Sequence, residues 1–253
     1  MAIDLNAIRN RLNTLQTKVT KTDNLWKPSP GKQQVRILPY VHNPSNPFIE
    51  LYFHFDCGGK NISSPMSCGE ADPLVEFADK LKATGNRDDY QLSRQLTPKM
   101  RTYVPVLVRG EESEGVKFWG FGKNVYQELL GFFADPDYGD LTDPVGGRDI
   151  TVEFKTAAEV GKSYPETYIR VKPSTTPISE DSNILEIAKD QIELPGMFKR
   201  ASYDEMQGML EQWLETGKVE DTKQEPVADT TTNTQTASPV SNVKEAFDDL
   251  FND

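Results

Sequence analysis

The apolar residues of this chain fall mostly into short runs bounded by turn residues rather than into long helical stripes. Gln34 to Pro39, Phe48 to Phe55, Tyr103 to Val108, Val116 to Phe121, Asp149 to Phe154 and Thr167 to Val171 are rich in β-branched and aromatic residues and predict strands. Gly110 to Gly115 supplies a turn between the middle two, which predicts a hairpin. Helical spacing appears at Pro73 to Leu81, where Leu74, Phe77, Ala78 and Leu81 share a face, and at Asn124 to Phe133. Two further helical patterns lie within Ser179 to Trp213. Short strands with accessory helices predict a mainly β, α+β chain. Its core is expected to be a small, partly open barrel of the oligonucleotide-binding (OB) kind, although a sandwich has similar signals.

The two ends read differently. Leu5, Ile8, Leu12, Leu15 and Val19 step by 3, 4, 3, 4, which predicts an amphipathic helix over Asp4 to Thr20 with Arg9, Arg11 and Lys18 on its other faces. So narrow a stripe docks on its own domain or on a neighbouring copy. Residues 1–21 are therefore a candidate self-association arm, with Leu5, Ile8, Arg9, Arg11 and Leu12 as its contacts. Residues 22–217 form the expected core, and 218–241, rich in Thr, Gln and Pro, a disordered linker. In the acidic tip, 242–253, Asn242 and Glu245 offer a capping box, and Val243, Phe247, Leu250 and Phe251 share a helical face beside Asp248 and Asp249. Too short to fold alone, the tip predicts a ligand for a partner's groove through Phe247, Asp248, Asp249, Leu250 and Phe251.

Charge sharpens this division. Through Thr175, 22 Lys and Arg face 22 Asp and Glu, whereas 6 face 17 in the remainder, so the net −11 is confined to the C-terminal part. A basic start with an acidic end is a common plan for nucleic-acid proteins. No run of 18 apolar residues and no signal-peptide pattern occurs, which predicts a soluble, intracellular protein. Two cysteines do not make a disulfide framework. With two histidines, no Walker loop, no H-E-x-x-H and no nucleophile motif, enzymatic function is not expected.

The candidate chemistry is concentrated between Leu96 and Lys123. There Lys99, Arg101 and Lys123 are interleaved with Tyr103, Trp119 and Phe121. Pleating sends Tyr103 to the face of Pro105 and Leu107, and Trp119 to that of Lys117 and Phe121, so one face could present rings and charge together. Single-stranded nucleic acid requires that combination, because a ring stacks on any base while a cation neutralises phosphate. The alternative is that these rings are simply core.

Trp26-Lys27, Val35-Arg36-Ile37-Leu38-Pro39, Lys99-Met100-Arg101-Thr102-Tyr103 and Phe121-Gly122-Lys123 before a helix occur in an order that resembles the single-stranded DNA-binding, helix-destabilising proteins of T-even-type tailed phages. The similarity runs from about Trp26 to Trp213. It implies cooperative, largely sequence-nonspecific coating of single-stranded DNA in replication, recombination and repair, in the cytoplasm of an infected bacterium. It further implies that Lys99 and Arg101 contact phosphate and that Tyr103 and Trp119 stack on bases, with Phe121, Lys123 and Tyr164 in the same groove. The implied partners are DNA, neighbouring copies, and phage replication and recombination proteins at the tail.

Two departures stand out. Gly120 replaces a usual basic residue, which lowers the charge of the groove. The family's zinc subdomain uses one histidine and three cysteines; His54 and Cys68 match, but Asp72 and Val75 occupy the paired-cysteine positions. A set of His42, His54, Cys57 and Cys68 is the alternative ligand group. The expectation is no cofactor, with the lobe held by Phe53, Phe55, Leu74 and Phe77. The rival readings are an RNA-binding translational regulator on the same fold, or a replication adaptor acting through its tail.

Overall fold

The computed structural model describes residues 24–57, 60–216 and Phe247. The self-association arm with Leu5, Ile8, Arg9, Arg11 and Leu12, the linker, and Asp248, Asp249, Leu250 and Phe251 of the tip lie outside the described residues. The strands are β1 (Leu25–Trp26), β2 (Gly31–Ile37), β3 (Ile49–Cys57), β4 (Lys60–Ser63), β5 (Lys99–Val108), β6 (Lys117–Phe121), β7 (Arg148–Lys155) and β8 (Glu166–Thr175). The helices are α1 (Pro73–Ala83), α2 (Arg87–Leu96), α3 (Lys123–Ala134), α4 (Ala157–Val160), α5 (Ser182–Lys189) and α6 (Tyr203–Thr216). The fold is thus mixed α+β around a mainly antiparallel sheet.

Strand order is β1-β6-β5-β2-β7-β8, and β3, itself paired with β4, joins β5. Strand β5 changes neighbours along its length: Lys99–Tyr103 pairs with β3, and Val106–Val108 with β2. Val104, Val106 and Val108 alternate inward and meet Val35 and Ile37 of β2, Ile150 and Val152 of β7, and Ile169 of β8 in the principal core. Trp26 and Trp119 pack edge to face with centroids 5.7 Å apart, and Tyr126 and Leu129 of α3 cover the core.

Between β3 and β5 the chain builds a helical lobe. Asp72 caps α1 by accepting from the Leu74 and Val75 N–H groups, and Pro73 supplies a first-turn residue that needs no N–H partner. Leu74, Phe77, Ala78 and Leu81 then face Met206 and Leu210 of α6. Full burial of Phe77 alone contributes about 1.5–3 kcal/mol. Phe53 and Phe55 belong instead to a separate cluster with Phe198, so only Leu74 and Phe77 of the four expected lobe residues hold the lobe.

Arg36 of the Val35–Pro39 motif is fully buried. Its Nε donates to Asp149 Oδ1 at 3.0 Å, and its Nη2 donates to Thr176 Oγ1 at 2.7 Å. Arg109 grips the same carboxylate through Nη2 at 2.8 Å and Nε at 3.1 Å. A Cβ at Gly147 would lie 2.5 Å from Arg36 Nη1, so this glycine leaves room for the guanidinium.

Candidate nucleic-acid interface

The register of β5 against β6 decides which rings can meet a ligand. Tyr103 lies opposite Gly120, whereas Val104 lies opposite Trp119 and Thr102 opposite Phe121. Directly paired residues share a face of the sheet, so Trp119 and Phe121 point into the principal core while Tyr103 points to the other face, where it borders a second cluster with Ile49, Leu51 and Phe53 and the sheet opens to solvent at Lys99. Trp119 is 1% exposed and Phe121 4%, with their centroids 4.7 Å apart. Neither ring has a face to offer a base, so the expected stacking of Trp119 and the expected place of Phe121 in the groove are corrected by this register.

The outward face of β5 does bring Lys99, Arg101 and Tyr103 together. Lys99 Nζ and the Arg101 guanidinium lie 5.7 and 5.8 Å from the centroid of the Phe55 ring. Tyr103 leans on Phe198, 5.7 Å away, and on Phe53, 6.4 Å away, while remaining partly exposed. Burial raises the Tyr103 phenol above its ordinary pKa, against a smaller opposing pull from Arg101, so at neutral pH it is an uncharged ring. Gly122 borders the Arg101 guanidinium, and exposed Lys123 follows as the first residue of α3.

Gly120 is what lets Tyr103 lie flat. A Cβ there would meet Tyr103 Cε1 at 2.6 Å, and Phe53 and Phe198 restrict the ring's retreat. The missing basic residue is thus exchanged for a seated ring. Gly120→Ala is expected to weaken nucleic-acid binding, and Tyr103→Ala added to it should cost little more. Full additivity in that cycle, read by titration with oligothymidylate, would separate the two residues.

Tyr164 lies apart from β5, which is separated from β8 by β2 and β7 in the sheet order. It is 44% exposed in the turn before β8, with Lys162 Nζ 5.8 Å from its centroid. Tyr168, Arg170 and Lys172 share one face of β8 by period 2 and, with Lys32 of β2, line a cavity of about 260 Å³. Lys155 Nζ sits 5.2 Å from the Tyr168 centroid. Tyr168, Arg170, Lys172, Lys32, Lys155 and Phe55 were absent from the sequence-based site. The Tyr168-x-Arg170-x-Lys172 alternation was the available signal for β8; Phe55, before a turn-rich segment, carried none.

The family model described as gp32 DNA binding protein like matches residues 29–215, spanning both β5 and the β7–β8 pair. The chain belongs to the gp32-like DNA-binding family. DNA is accordingly a partner, and the family's activity is binding. A search of curated proteins found no match.

The positions that would hold this family's zinc do not fit a metal here. Asp72 Oδ2 takes hydrogen bonds from His54 Nε2 at 2.8 Å and from the Ser64 hydroxyl, and Oδ1 from the Leu74 and Val75 N–H groups at 3.0 and 3.4 Å. Burial favours the neutral acid, yet the bonds from His54, Ser64 and Leu74 outweigh it and hold the Asp72 carboxyl below its ordinary value. An ionised Asp72 fixes the proton on His54 Nε2. Val75 has no donor atom, and Cys68 is exposed with its sulfur 3.2 Å from Arg200 Nη1. His42 Nε2 is 3.0 Å from the Gln191 carbonyl oxygen, apart from the His54 site. Among the described residues no three His, Cys, Asp or Glu side chains form a group able to hold a metal.

Proposed function

We propose that this gp32-like chain binds and protects single-stranded DNA with little sequence preference, as a non-enzymatic coat protein of phage replication, recombination and repair. The observation that carries the reading is the outward face of β5, where Lys99 and Arg101 flank Phe55 beside the seated Tyr103 ring. Cations there neutralise phosphate while the partly exposed Phe55 and Tyr103 rings accept any base.

The order β6-β5-β2-β7-β8, with α3 between β6 and β7, supports an OB barrel built from these five strands. In such a barrel the second and third strands and two flanking loops bind oligonucleotides. Those elements would be β5, β6, the insertion carrying the lobe, and the 156–165 connection with Lys162 and Tyr164. Lys123 would extend the cationic track. The lobe would hold without metal, through the His54–Asp72–Ser64 network and its apolar core. Residues 1–21 would join neighbouring copies, and the acidic tip would meet replication partners in the cytoplasm of an infected bacterium. Among the described residues no helix is long and apolar enough to cross a membrane.

Fluorescence titration with poly(dT) and poly(U) over several salt concentrations tests this. Lys99→Ala should flatten the slope of log Kobs against log salt by about 0.7, the contribution of one phosphate contact on a single strand. Tyr103→Ala should cost about 1–3 kcal/mol at every salt concentration if its ring stacks. Tighter binding to poly(U) than to poly(dT) would favour RNA as the ligand, and an unchanged slope in Lys99→Ala would remove Lys99 from the interface.

A further inference from the structure

Phe247 lies far along the sequence from α1 and α6 but is built into their core. It is 8% exposed and packs edge to face on Phe77, with centroids 6.0 Å apart at an interplanar angle of 75°. Leu74, Leu81, Met206 and Leu210 belong to the same cluster. We infer that the α1–α6 face of the lobe is a docking site for the chain's own acidic tip. Phe247 is its anchor, and a partner that takes the tip must first withdraw this ring from the lobe.

Chemistry and chain length both suit this occupant. An aromatic side chain gains most by leaving water for an apolar seat, and edge-to-face contact adds to that gain. Glu245, Asp248 and Asp249 surround Phe247 in sequence, while α1 carries Lys80 and Lys82 in its last turn. Lys80 follows Phe77 by three residues, so the two share a face of the helix. Residues 217–246, which connect α6 to Phe247, can span at most about 100 Å, and α6 already packs on α1. A tip from the same chain therefore reaches the seat. The aromatic residue assigned above to partner grooves is one that the lobe itself covers. The inference does not depend on nucleic-acid binding and survives if the chain proves to bind no single strand.

Hydrogen exchange of the full-length chain tests the assignment. In Phe247→Ala the amides of α1 around Phe77 to Leu81 should exchange at least tenfold faster than in the wild type, at every protein concentration. A synthetic peptide of residues 242–253, added at millimolar concentration, should restore their protection, whereas the same peptide carrying Phe247→Ala should not. Unchanged exchange in the variant would overturn the inference. Faster exchange that the peptide does not rescue would do so too, since Phe247 would then be an ordinary core residue rather than a reversible ligand. Wild-type protection that fades on dilution would place the tip of a second copy in the seat and overturn docking within one chain.

Discussion

Asp149→Ala is expected to cost about 3–5 kcal/mol of folding stability and to lower Tm by roughly 6–20 °C. The carboxylate is gripped by two arginines, Arg36 through Nε and Arg109 through Nε and Nη2. Burial depresses the proton affinity of Arg36 and Asp149 supports it, but nearby Arg109 adds to the depression, leaving the net shift downward. Without Asp149 a fully buried guanidinium would face a second cation with only Thr176 Oγ1 and the Thr176 and Pro177 carbonyls as acceptors. Arg109→Ala should be milder, because Arg36 then keeps its counter-charge. Combining Asp149→Ala with Arg36→Met should recover part of the loss, since an apolar replacement for a buried ion pair is often tolerated. Thermal melts of the variants decide the matter, and an unchanged Tm in Asp149→Ala would show that the pair contributes nothing net.

The second large effect is expected at Asp72, where alanine should cost about 2–4 kcal/mol by leaving two buried partners without their acceptor and removing a helix cap. His54 and Ser64 would lose their acceptor in a site that excludes water, and α1 would lose the oxygen that receives two of its first N–H groups. The acid response follows from the direction of the Asp72 shift. A carboxyl depressed in the folded state contributes its full stability above the unfolded value, about pH 4, and loses it as pH falls through the lower folded value. Wild-type Tm should therefore decline below about pH 4 more steeply than that of Asp72→Ala. Chelator should leave wild-type Tm unchanged near neutral pH. A drop with chelator, or one zinc per chain by elemental analysis, would show that metal rather than this network holds the lobe.

Strands β2, β3, β5, β6, β7 and β8 were legible because each carries the β-branched and aromatic enrichment of a half-buried pleat, and α1 and α3 because their apolar residues recur at helical spacing; β1, two residues long, and β4, in a polar stretch, carried no such signal. Helix α2 was not, since its buried side mixes Leu92 and Leu96 with polar Asp89 and Ser93, Asp89 accepting from the Thr84 hydroxyl at 2.7 Å, which leaves too few apolar positions to set a period. Apolar periodicity is silent on such a helix. The site was half legible. Composition located β5 and its cations, but pleating within one strand says nothing about its offset from the next. A slip of one residue between β5 and β6 exchanges Gly120 for Trp119 opposite Tyr103. Phe55 reaches the cations through the pairing of β3 with β5, and Phe247 reaches Phe77 through a long return of the chain; both are tertiary facts with no local signal.

The position of β2 also governs how the chain acquires its fold. Val35 pairs on one side with Val108 and on the other with Ile150, so the first long strand is flanked by segments made much later. Closing such distant loops before any pairing rewards them places this topology among the slower folders, in the millisecond-to-second range. During synthesis β2 must wait for β5 and then β7 to emerge, with its Val35–Ile37 edge open to other strands meanwhile. The helical lobe waits longer still, because its core needs Met206 and Leu210 of α6, which are made after β7. A stalled or truncated nascent chain ending before β7 would therefore hold an unfinished sheet and be prone to aggregation.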